Sequence, residues 1–276
     1  MRSAFSPWYA WAGRCEPENH VCINVVTSGP GGRFAMTDRG RDALRQSADT
    51  LTVGPSSMRW HAGALVIELD EIGAPPAIGR VRGTITVTPT AVTSVEMALT
   101  PDRAHVWRPF APTCAIRVDL EAPGWQWDGH GYFDANFGTR ALEADFATWS
   151  WGRFPAGGGS TCFYDVQRRD AGTLARAVRF GADGAARAIA PPPRAQLRRS
   201  LWGVDRQIRA DAGYRPRQVQ AMLDAPFYCR SAVRTRLDGE ETVGVHEALD
   251  LRRFRSPLLK PLLAFRVPRR ARWRAR

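Results

Sequence analysis

The side chains best suited to chemistry lie in one glycine-flanked stretch, residues 129–138. It contains His130, Tyr132, Asp134 and Asn136, which supply an imidazole, a phenol, a carboxylic acid and an amide. Successive side chains of an extended chain point to opposite faces, so on a strand these four share one face. An acid beside aromatic groups on one strand face indicates a site. A polar corner held by hydrogen bonds explains the pattern equally well.

A similar pair lies earlier in the chain, where His105 and Trp107 are also two residues apart. On a strand these two side chains share a face. If the two strands face one interior, His105, Trp107, Tyr132 and Asp134 line a common cavity. For the histidine alone, core packing with a satisfied imidazole is the competing interpretation.

Other acidic residues are weaker candidates. Glu68, Asp70 and Glu71 lie on or next to an apolar strand, and the alternation of side chains predicts that they form a solvated face. Glu143 and Asp145 receive the same interpretation. The sequence therefore offers Asp134 as its best candidate for a catalytic carboxyl group.

Several common types of site have no signature in the sequence. Tyr164 and Asp165 are adjacent, so on a strand they point to opposite faces and pair less well than Tyr132 and Asp134. There is no G-x-S-x-G motif, and the glycine-rich stretches 129–131 and 157–159 lack the lysine of a phosphate-binding loop. The five cysteines are widely spaced and the histidines are isolated, so we expect reduced thiols, a cytosolic location and no metal site.

The elements that position these residues are predicted to be strands. The 276 residues are enough for one large domain or two ordinary ones, and the scattered prolines and glycines suit an all-β chain. Asp183-Gly184 and Asp238-Gly239 are typical of hairpin turns. Short helical segments are expected at 37–45 and 256–265. Strands are predicted at 21–26, 65–69, 81–88, 92–99, 115–120, 146–151, 161–167, 174–180, 197–208, 218–223, 231–237 and 243–251.

The net charge of +12 is concentrated at the C-terminus. Residues 251–276 contain ten basic residues and no acidic one, which leaves about +2 for the rest of the chain. A solubilising tail is one interpretation. Attraction to anionic lipid headgroups, worth ~1 kcal/mol per basic residue near the surface, is the second. Nucleic acid is not expected as a partner, because the remainder of the chain has no basic stripe or binding motif. No apolar run reaches the ~18 residues that suggest a transmembrane helix.

An ordered set of motifs gives the sequence a family resemblance. The stretch 129–138, followed by Trp149-Ser150-Trp151-Gly152-Arg153, resembles the carotenoid 1,2-hydratases, also called hydroxyneurosporene synthases. The resemblance runs from about residue 4 to residue 270. It extends to Phe5-Ser6-Pro7-Trp8, Met36-Thr37-Asp38-Arg39-Gly40, Gly54-Pro55-Ser56-Ser57, Tyr164-Asp165-Val166, Pro191-Pro192-Pro193, Leu201-Trp202, Pro226-Phe227-Tyr228 and His246-Glu247.

This resemblance implies a fold and a reaction. The expected fold is all-β, with two tandem lipocalin-like (calycin-type) β-barrels at residues 1–124 and 125–268 and a basic tail at 269–276. The implied activity is that of a hydro-lyase that adds water across the terminal C1–C2 double bond of acyclic carotenoids such as neurosporene and lycopene. It implies no metal or organic cofactor. It also implies a cytoplasmic enzyme of photosynthetic bacteria, associated peripherally with the inner (photosynthetic) membrane.

The resemblance assigns roles to residues as well. It implies that Asp134 is the acid/base carboxyl group, with Tyr132, His105 and Trp107 as its catalytic partners. We expect the terminal double bond to be protonated by Asp134 and the attacking water to be oriented or deprotonated by His105. The residues expected to bind the rest of the polyene are Trp127, Trp149, Trp151, His130 and Asn136, to which Trp125 is added as a possible neighbour.

Two other functions remain open from the sequence. A lipocalin-like carrier of a hydrophobic ligand would keep His105 and Asp134 as buried structural groups. A related enzyme of the same architecture would cyclise or isomerise a polyene. Family members also carry an aromatic-rich strand segment before Phe5, whereas only four residues precede it here. We therefore expect either a start codon placed too late or a barrel seam with unpaired backbone groups.

Overall fold

A computed structural model describes residues 4–273 and divides the chain into two compact units. Unit 1 comprises Met1–Pro89, Cys114–Gly131 and Pro257–Arg276. Unit 2 comprises Thr90–Thr113 and Tyr132–Ser256. Both units are therefore assembled from separate stretches of sequence. The limits predicted at 124 and 268 stay a prediction, and the last residues of the predicted tail, 274–276, lie outside the described residues.

The described elements are mostly strands. In chain order they are α1 (Pro7–Trp11), β1 (Asn24–Val26), β2 (Phe34–Met36), β3 (Asp38–Arg39), β4 (Leu44–Gln46), β5 (Thr50–Val53), β6 (Ser56–His61), β7 (Ala64–Ile72), β8 (Arg80–Pro89), β9 (Met97–Ala98), β10 (His105–Ala122), β11 (Trp125–Gly138), α2 (Leu142–Asp145), β12 (Phe146–Ala156), β13 (Gly159–Arg168), β14 (Thr173–Phe180), β15 (Ala186–Ile189), β16 (Arg194–Leu197), β17 (Arg206–Arg209), β18 (Arg217–Ala225), β19 (Tyr228–Leu237), β20 (Glu240–Asp250), α3 (Leu251–Arg255), α4 (Leu259–Arg266) and β21 (Arg269–Arg270), with 3₁₀ turns at Pro17–Asn19 and Arg41–Ala43.

Two large antiparallel sheets confirm the predicted all-β class. One has the strand order β11-β10-β8-β7-β6-β5-β4, with β9 paired to β10. The other, in unit 2, has the order β15-β14-β13-β12-β20-β19-β18. The strands predicted at 65–69, 81–88 and 115–120 lie within β7, β8 and β10. Asp238 and Gly239 connect β19 to β20 with positive φ angles of 53° and 85°, as a tight hairpin turn requires.

Unit 1 buries the alternate apolar side chains of its strands. On β7 the side chains of Leu65 and Leu69 point inward, as the period of two predicts. Glu71 continues that inward series, so the prediction that it belongs to a solvated face is wrong. Its side chain is 1% exposed. It accepts hydrogen bonds from Arg39 at 2.7 Å and from Ser56 at 2.8 Å, which compensate the burial of its charge.

The predicted helical segment at 37–45 is instead a pair of short strands around one 3₁₀ turn. The backbone N–H of Asp38 donates to Pro268 O, and that of Arg39 donates to Val21 O. Because these two N–H groups bond to distant residues, they cannot form the i to i−4 hydrogen bonds of a helix. The Asp38 carboxylate is buried and contacts Ser6, His20 and Arg269. Arg269, the first residue of the predicted basic tail, is therefore part of the packed structure of unit 1.

Unit 2 differs from prediction at two strands. The predicted strand 197–208 is a hairpin, β16 and β17, whose loop is closed by bonds from Ser200 N to Val204 O and from Gly203 N to Ser200 O. Of the predicted strand 92–99 only Met97–Ala98 is extended in a sheet. The hairpin packs Leu197 and Ile208 against one face of the seven-stranded sheet, with Phe154, Phe163, Ala177 and Val233 beneath them.

The predicted C-terminal helix appears as α4, preceded by the separate short helix α3. Leu258, which directly precedes α4, and Leu262 and Phe265 on α4 lie on one side, and they are 82%, 58% and 68% exposed. In the part of the chain that the structure describes, no helix is long and apolar enough to cross a membrane.

Candidate active site

The face of the unit 2 sheet opposite the β16–β17 hairpin carries a row of polar and aromatic side chains. Trp151 on β12 is the register partner of Tyr164 on β13 and of Glu247 on β20. Glu247 in turn is paired with Arg230 on β19. Since cross-strand partners share a face, Tyr164, Trp151, Glu247 and Arg230 form one row across four strands.

The unit 2 segments of β10 and β11 add their side chains to this row. The Trp107 indole donates a hydrogen bond from Nε1 to Asp134 Oδ2 at 2.7 Å. The Trp107 ring lies 5.5 Å from the Tyr164 ring. Tyr132 accepts a hydrogen bond from Arg230 at 3.0 Å and lies 4.9 Å from the Trp151 ring. We call this group the Asp134 cluster; its members are Trp107, Tyr132, Asp134, Trp151, Tyr164, Arg230 and Glu247.

The predicted alternation along β11 is confirmed from Tyr132 to Asn136. Tyr132 and Asp134 both contact members of the cluster, and Asn136 Oδ1 accepts a hydrogen bond from the Tyr164 hydroxyl at 3.0 Å. Phe133, between them, stacks on Phe110 at 5.3 Å on the other side of the strand. One strand thus delivers a phenol, a carboxyl group and an amide to the same sheet face.

The environment of Asp134 favours the protonated form of its carboxyl group. Burial raises the pKa of its carboxyl from 3.8 to about 6; the hydrogen bond from Trp107 lowers it, while the nearby charges of Glu247 and Arg230 raise and lower it respectively. The residue as a whole is partly exposed, but aromatic rings surround the carboxyl, and its loss of water dominates. An indole N–H can only donate, so Asp134 Oδ2 is the acceptor of this bond.

The phenols of the cluster are held neutral. Burial raises the pKa of Tyr132 and of Tyr164 well above the ordinary value, and neighbouring carboxylates raise both further. Burial also raises the pKa of Tyr228, whose hydroxyl hydrogen-bonds to Glu247. The pKa of Asp134, at about 6, is instead close enough to neutral pH for a fraction of its carboxyl to be protonated there.

Comparison with known proteins identifies the family. The family model described as "Carotenoid hydratase CrtC" matches residues 1–276. The chain belongs to the carotenoid hydratase CrtC family. It is 62% identical over 271 residues to the acyclic carotenoid 1,2-hydratase of Cereibacter sphaeroides, covering 98% of this chain and 97% of that relative. It is 58% identical over 273 residues to that of Rhodobacter capsulatus, covering 99% and 97%.

Solved structures add a distant similarity. The crystal structure of CghA with Sch210972 is 14% identical, with a TM-score of 0.45, and the match covers 82% of this chain and 72% of that one.

In this member of the CrtC family, the His105 imidazole is paired with Asp145. Its Nε2 pairs with Asp145 Oδ2 at 2.7 Å, and its ring packs 4.7 Å from Phe146. Asp145 also accepts a bond from Arg140 at 2.9 Å, and its side chain is 21% exposed. The imidazole is buried with a satisfied partner, and it anchors the start of β10 two residues before Trp107.

The remaining predicted residues divide between the two units. Trp149 and Trp151 are buried in unit 2, with Trp149 5.4 Å from the Tyr164 ring. Trp127 and His130 belong to unit 1 and are exposed. Trp125 packs against the apolar core of unit 1. Of the predicted substrate-binding residues that belong to unit 2, Trp149, Trp151 and Asn136 lie at or beside the cluster.

Three members of the cluster have no predicted role from the sequence: Glu247, Arg230 and Tyr164. Glu247 and Tyr164 stand in the family motifs His246-Glu247 and Tyr164-Asp165-Val166, which was the available signal. His246, the neighbour of Glu247, faces the opposite side of β20, where its Nε2 bonds Gln207 O at 2.9 Å. Burial lowers the pKa of His246 to about 4, so it is neutral and does not act at the cluster.

A separate cavity of about 240 Å³ also lies in unit 2, but away from this chemistry. Its walls include Phe163, Ile189, Pro192 and Leu237, together with the paired side chains Arg179 and Asp238. No member of the Asp134 cluster lines it. We place the site at the cluster because a reaction needs the proton donor more than it needs an enclosed volume.

Proposed function

We propose that this protein is an acyclic carotenoid 1,2-hydratase, a hydro-lyase that adds water across the terminal C1–C2 double bond of neurosporene or lycopene. The observation that carries the proposal is the Asp134 carboxyl, which has a pKa of about 6 and is held by Trp107 among aromatic rings. The names and identities of the relatives support the same reaction and substrate class.

The first step is protonation of an unactivated alkene. Asp134 delivers its proton to C2, and the electron pair of the double bond forms the new C2–H bond. The positive charge then lies on the tertiary carbon C1, and Asp134 becomes a carboxylate. A raised pKa keeps a useful fraction of Asp134 protonated near neutral pH, which general acid catalysis requires.

The second requirement is shelter for the cation. Trp107 and Tyr132 offer π faces to the charge on C1, an attraction of ~2 kcal/mol or more in a desolvated site. Trp151, packed on Tyr132, extends this aromatic wall. Water then adds to C1 and loses a proton, which completes the 1-hydroxy product. The apolar remainder of the polyene contacts Trp149 and its neighbours.

His105 enters this proposal as a positioning residue. Its bond to Asp145 and its packing on Phe146 fix the first residues of β10. Trp107 follows two residues later and holds the Asp134 carboxyl. Loss of the imidazole would therefore disturb the orientation of the acid. No contact in the described residues supports the predicted role of His105 at the attacking water.

We also propose that the enzyme meets its substrate at the surface of an anionic membrane. The exposed side of α4, defined above by Leu258, Leu262 and Phe265, suits insertion among lipid chains. Trp11, on α1, is exposed too, and α1 packs against α4. Basic residues without any acidic one surround this segment of the sequence, which favours anionic headgroups.

The function is tested by incubating the purified protein with lycopene and with neurosporene in anionic lipid vesicles. A hydratase yields products that gain the mass of one water, and in ¹⁸O-labelled water the gained oxygen carries the label. A carrier would bind the carotenoid without altering its mass. A cyclase or isomerase would yield a new compound of unchanged mass. Either of these outcomes would overturn the proposed function.

A further inference from the structure

A second carboxyl group, Glu247, lies close enough to Asp134 for its charge to act on that group. It is the register partner of Trp151 on one side and of Arg230 on the other. Both partners contact Tyr132, which stands two residues from Asp134 on β11. Glu247 therefore lies on the same sheet face as the contacts that hold the acid. Its negative charge contributes to the raised pKa of Asp134, which is consistent with this position.

The two carboxyl groups have different surroundings. Asp134 accepts a bond from a neutral indole and has lost most of its water. Glu247 has a cation beside it: Arg230 Nε lies 3.4 Å from Glu247 Oε1, an ion pair without hydrogen-bond geometry. The Tyr228 hydroxyl hydrogen-bonds to it as well. Two neighbouring carboxyl groups with such different surroundings are typical of an acid and base pair.

The register partner of Glu247, Trp151, carries a hydrogen-bond donor that could hold a water. The buried Trp151 indole has no partner for its Nε1–H among residues 4–273, and the same holds for Trp149. Buried donors are seldom left unpaired, so an unpaired one suggests a place for water or ligand. A water between Trp151 and Glu247 would accept one bond from the indole and donate one to the carboxylate. Its second lone pair would remain available for attack.

We propose that Glu247 is the base that takes the proton from the water attacking C1. This inference rests on the proposed function. When the water oxygen forms its bond to C1, one of its O–H bonds breaks and the proton passes to Glu247. The product is then neutral, Asp134 is a carboxylate and Glu247 is protonated. The Glu247 side chain is 17% exposed, so its proton returns through solvent to Asp134 and both groups are reset.

The test compares three variants on folded, carotenoid-loaded protein. Glu247→Gln keeps the size of the side chain but cannot accept the proton, and we expect hydration to fall ~100- to 10,000-fold. Glu241→Gln is the matched control, because Glu241 lies on the same strand but is not a member of the Asp134 cluster. Its carboxylate lies 3.6 Å from Arg234 Nη1. This control variant should hydrate at the wild-type rate. Asp134→Asn should also lose hydration activity, because asparagine has no carboxyl proton to give to the alkene.

Azide separates a base from a merely structural residue. The azide anion attacks C1 without needing to lose a proton. Glu247→Ala with added azide should therefore yield the 1-azido carotenoid, whereas Asp134→Asn with azide should yield nothing, because no cation forms. Circular dichroism and the absorbance of bound carotenoid establish that each variant is folded and loaded.

The outcomes distinguish this inference from the proposed function. If the wild-type protein forms no 1-hydroxy product, the proposed function fails and the inference fails with it. If the wild type is active and Glu247→Gln hydrates at a similar rate, Glu247 is not the base, although the function stands. If Glu247→Ala is inactive and forms no azide adduct, Glu247 positions other groups and the base role is overturned.

Discussion

Replacing Asp134 by asparagine should abolish hydration while making the protein more stable at neutral pH. The amide oxygen can still accept the Trp107 hydrogen bond, so the packing is kept. The transferable proton is lost, which costs general acid catalysis ~100- to 10,000-fold in rate. A residue kept only for structure would not combine lost activity with gained stability.

The magnitude of the stability effect follows from the pKa of Asp134. The folded-state pKa of about 6 exceeds the ordinary value of 3.8, so the folded protein holds the proton more tightly than the unfolded chain. The stabilisation is complete below the unfolded pKa and is lost as pH rises through about 6. Between about pH 4.5 and about pH 7.5 the wild type should lose about 2 kcal/mol of unfolding free energy through this group, a loss that Asp134→Asn does not suffer.

Urea unfolding of wild type and variant across this pH range measures the effect. Asp145→Asn is the control with the opposite sign. Burial acts to raise the pKa of Asp145, but its bonds to Arg140 and His105 outweigh burial and hold that pKa below the ordinary value. Asp145→Asn should therefore lose stability at neutral pH and approach the wild type in acid. If the difference between Asp134→Asn and wild type is constant with pH, the carboxyl is not desolvated as described. If the variant still hydrates at the wild-type rate, Asp134 is not the acid.

Two further predictions follow from the structure. Trp107→Phe removes the hydrogen bond that lowers the pKa of Asp134, so the alkaline fall of the pH–rate profile should move to higher pH; an unmoved profile in folded protein would contradict this link. Replacing Leu262 and Phe265 together by serine should weaken sedimentation with anionic vesicles at both low and high salt. If charge attraction alone held the protein to the vesicles, added salt would weaken binding and the double substitution would not. Unchanged binding of this double variant would remove α4 from the membrane proposal. Deleting 268–276 is a poorer test, because it also removes Arg269 from Asp38.

The strand pattern was readable from the sequence because it depends on neighbours in the chain. Alternating apolar residues predicted β7, β8 and the segment 115–120 of β10, and Asp238-Gly239 predicted the turn between β19 and β20. The same alternation placed Tyr132, Asp134 and Asn136 on one face. Where it was overlooked, the prediction failed: Glu71 has the parity of Leu65 and Leu69, and the structure buries it.

Segments whose backbone bonds go to distant residues were not predictable in this way. Residues 37–45 form strands because Val21 and Pro268 take their N–H groups. The segment 197–208 folds back on itself to cover an apolar sheet face, which its own sequence does not reveal. In both cases the competing partner lies outside any local window, so local propensity gave the wrong answer.

The sequence by itself determined which strand carries the acid and, through the family motifs, which reaction to expect. Only the tertiary structure decided what surrounds the acid. Glu247 is separated from Asp134 by more than one hundred residues, and it reaches the cluster through the register of β12, β20 and β19. The pKa of a carboxyl group depends on the water and charges that folding removes or brings near. For that reason the candidate proton donor was visible in the sequence, while its proton affinity and the position of the proposed base were not.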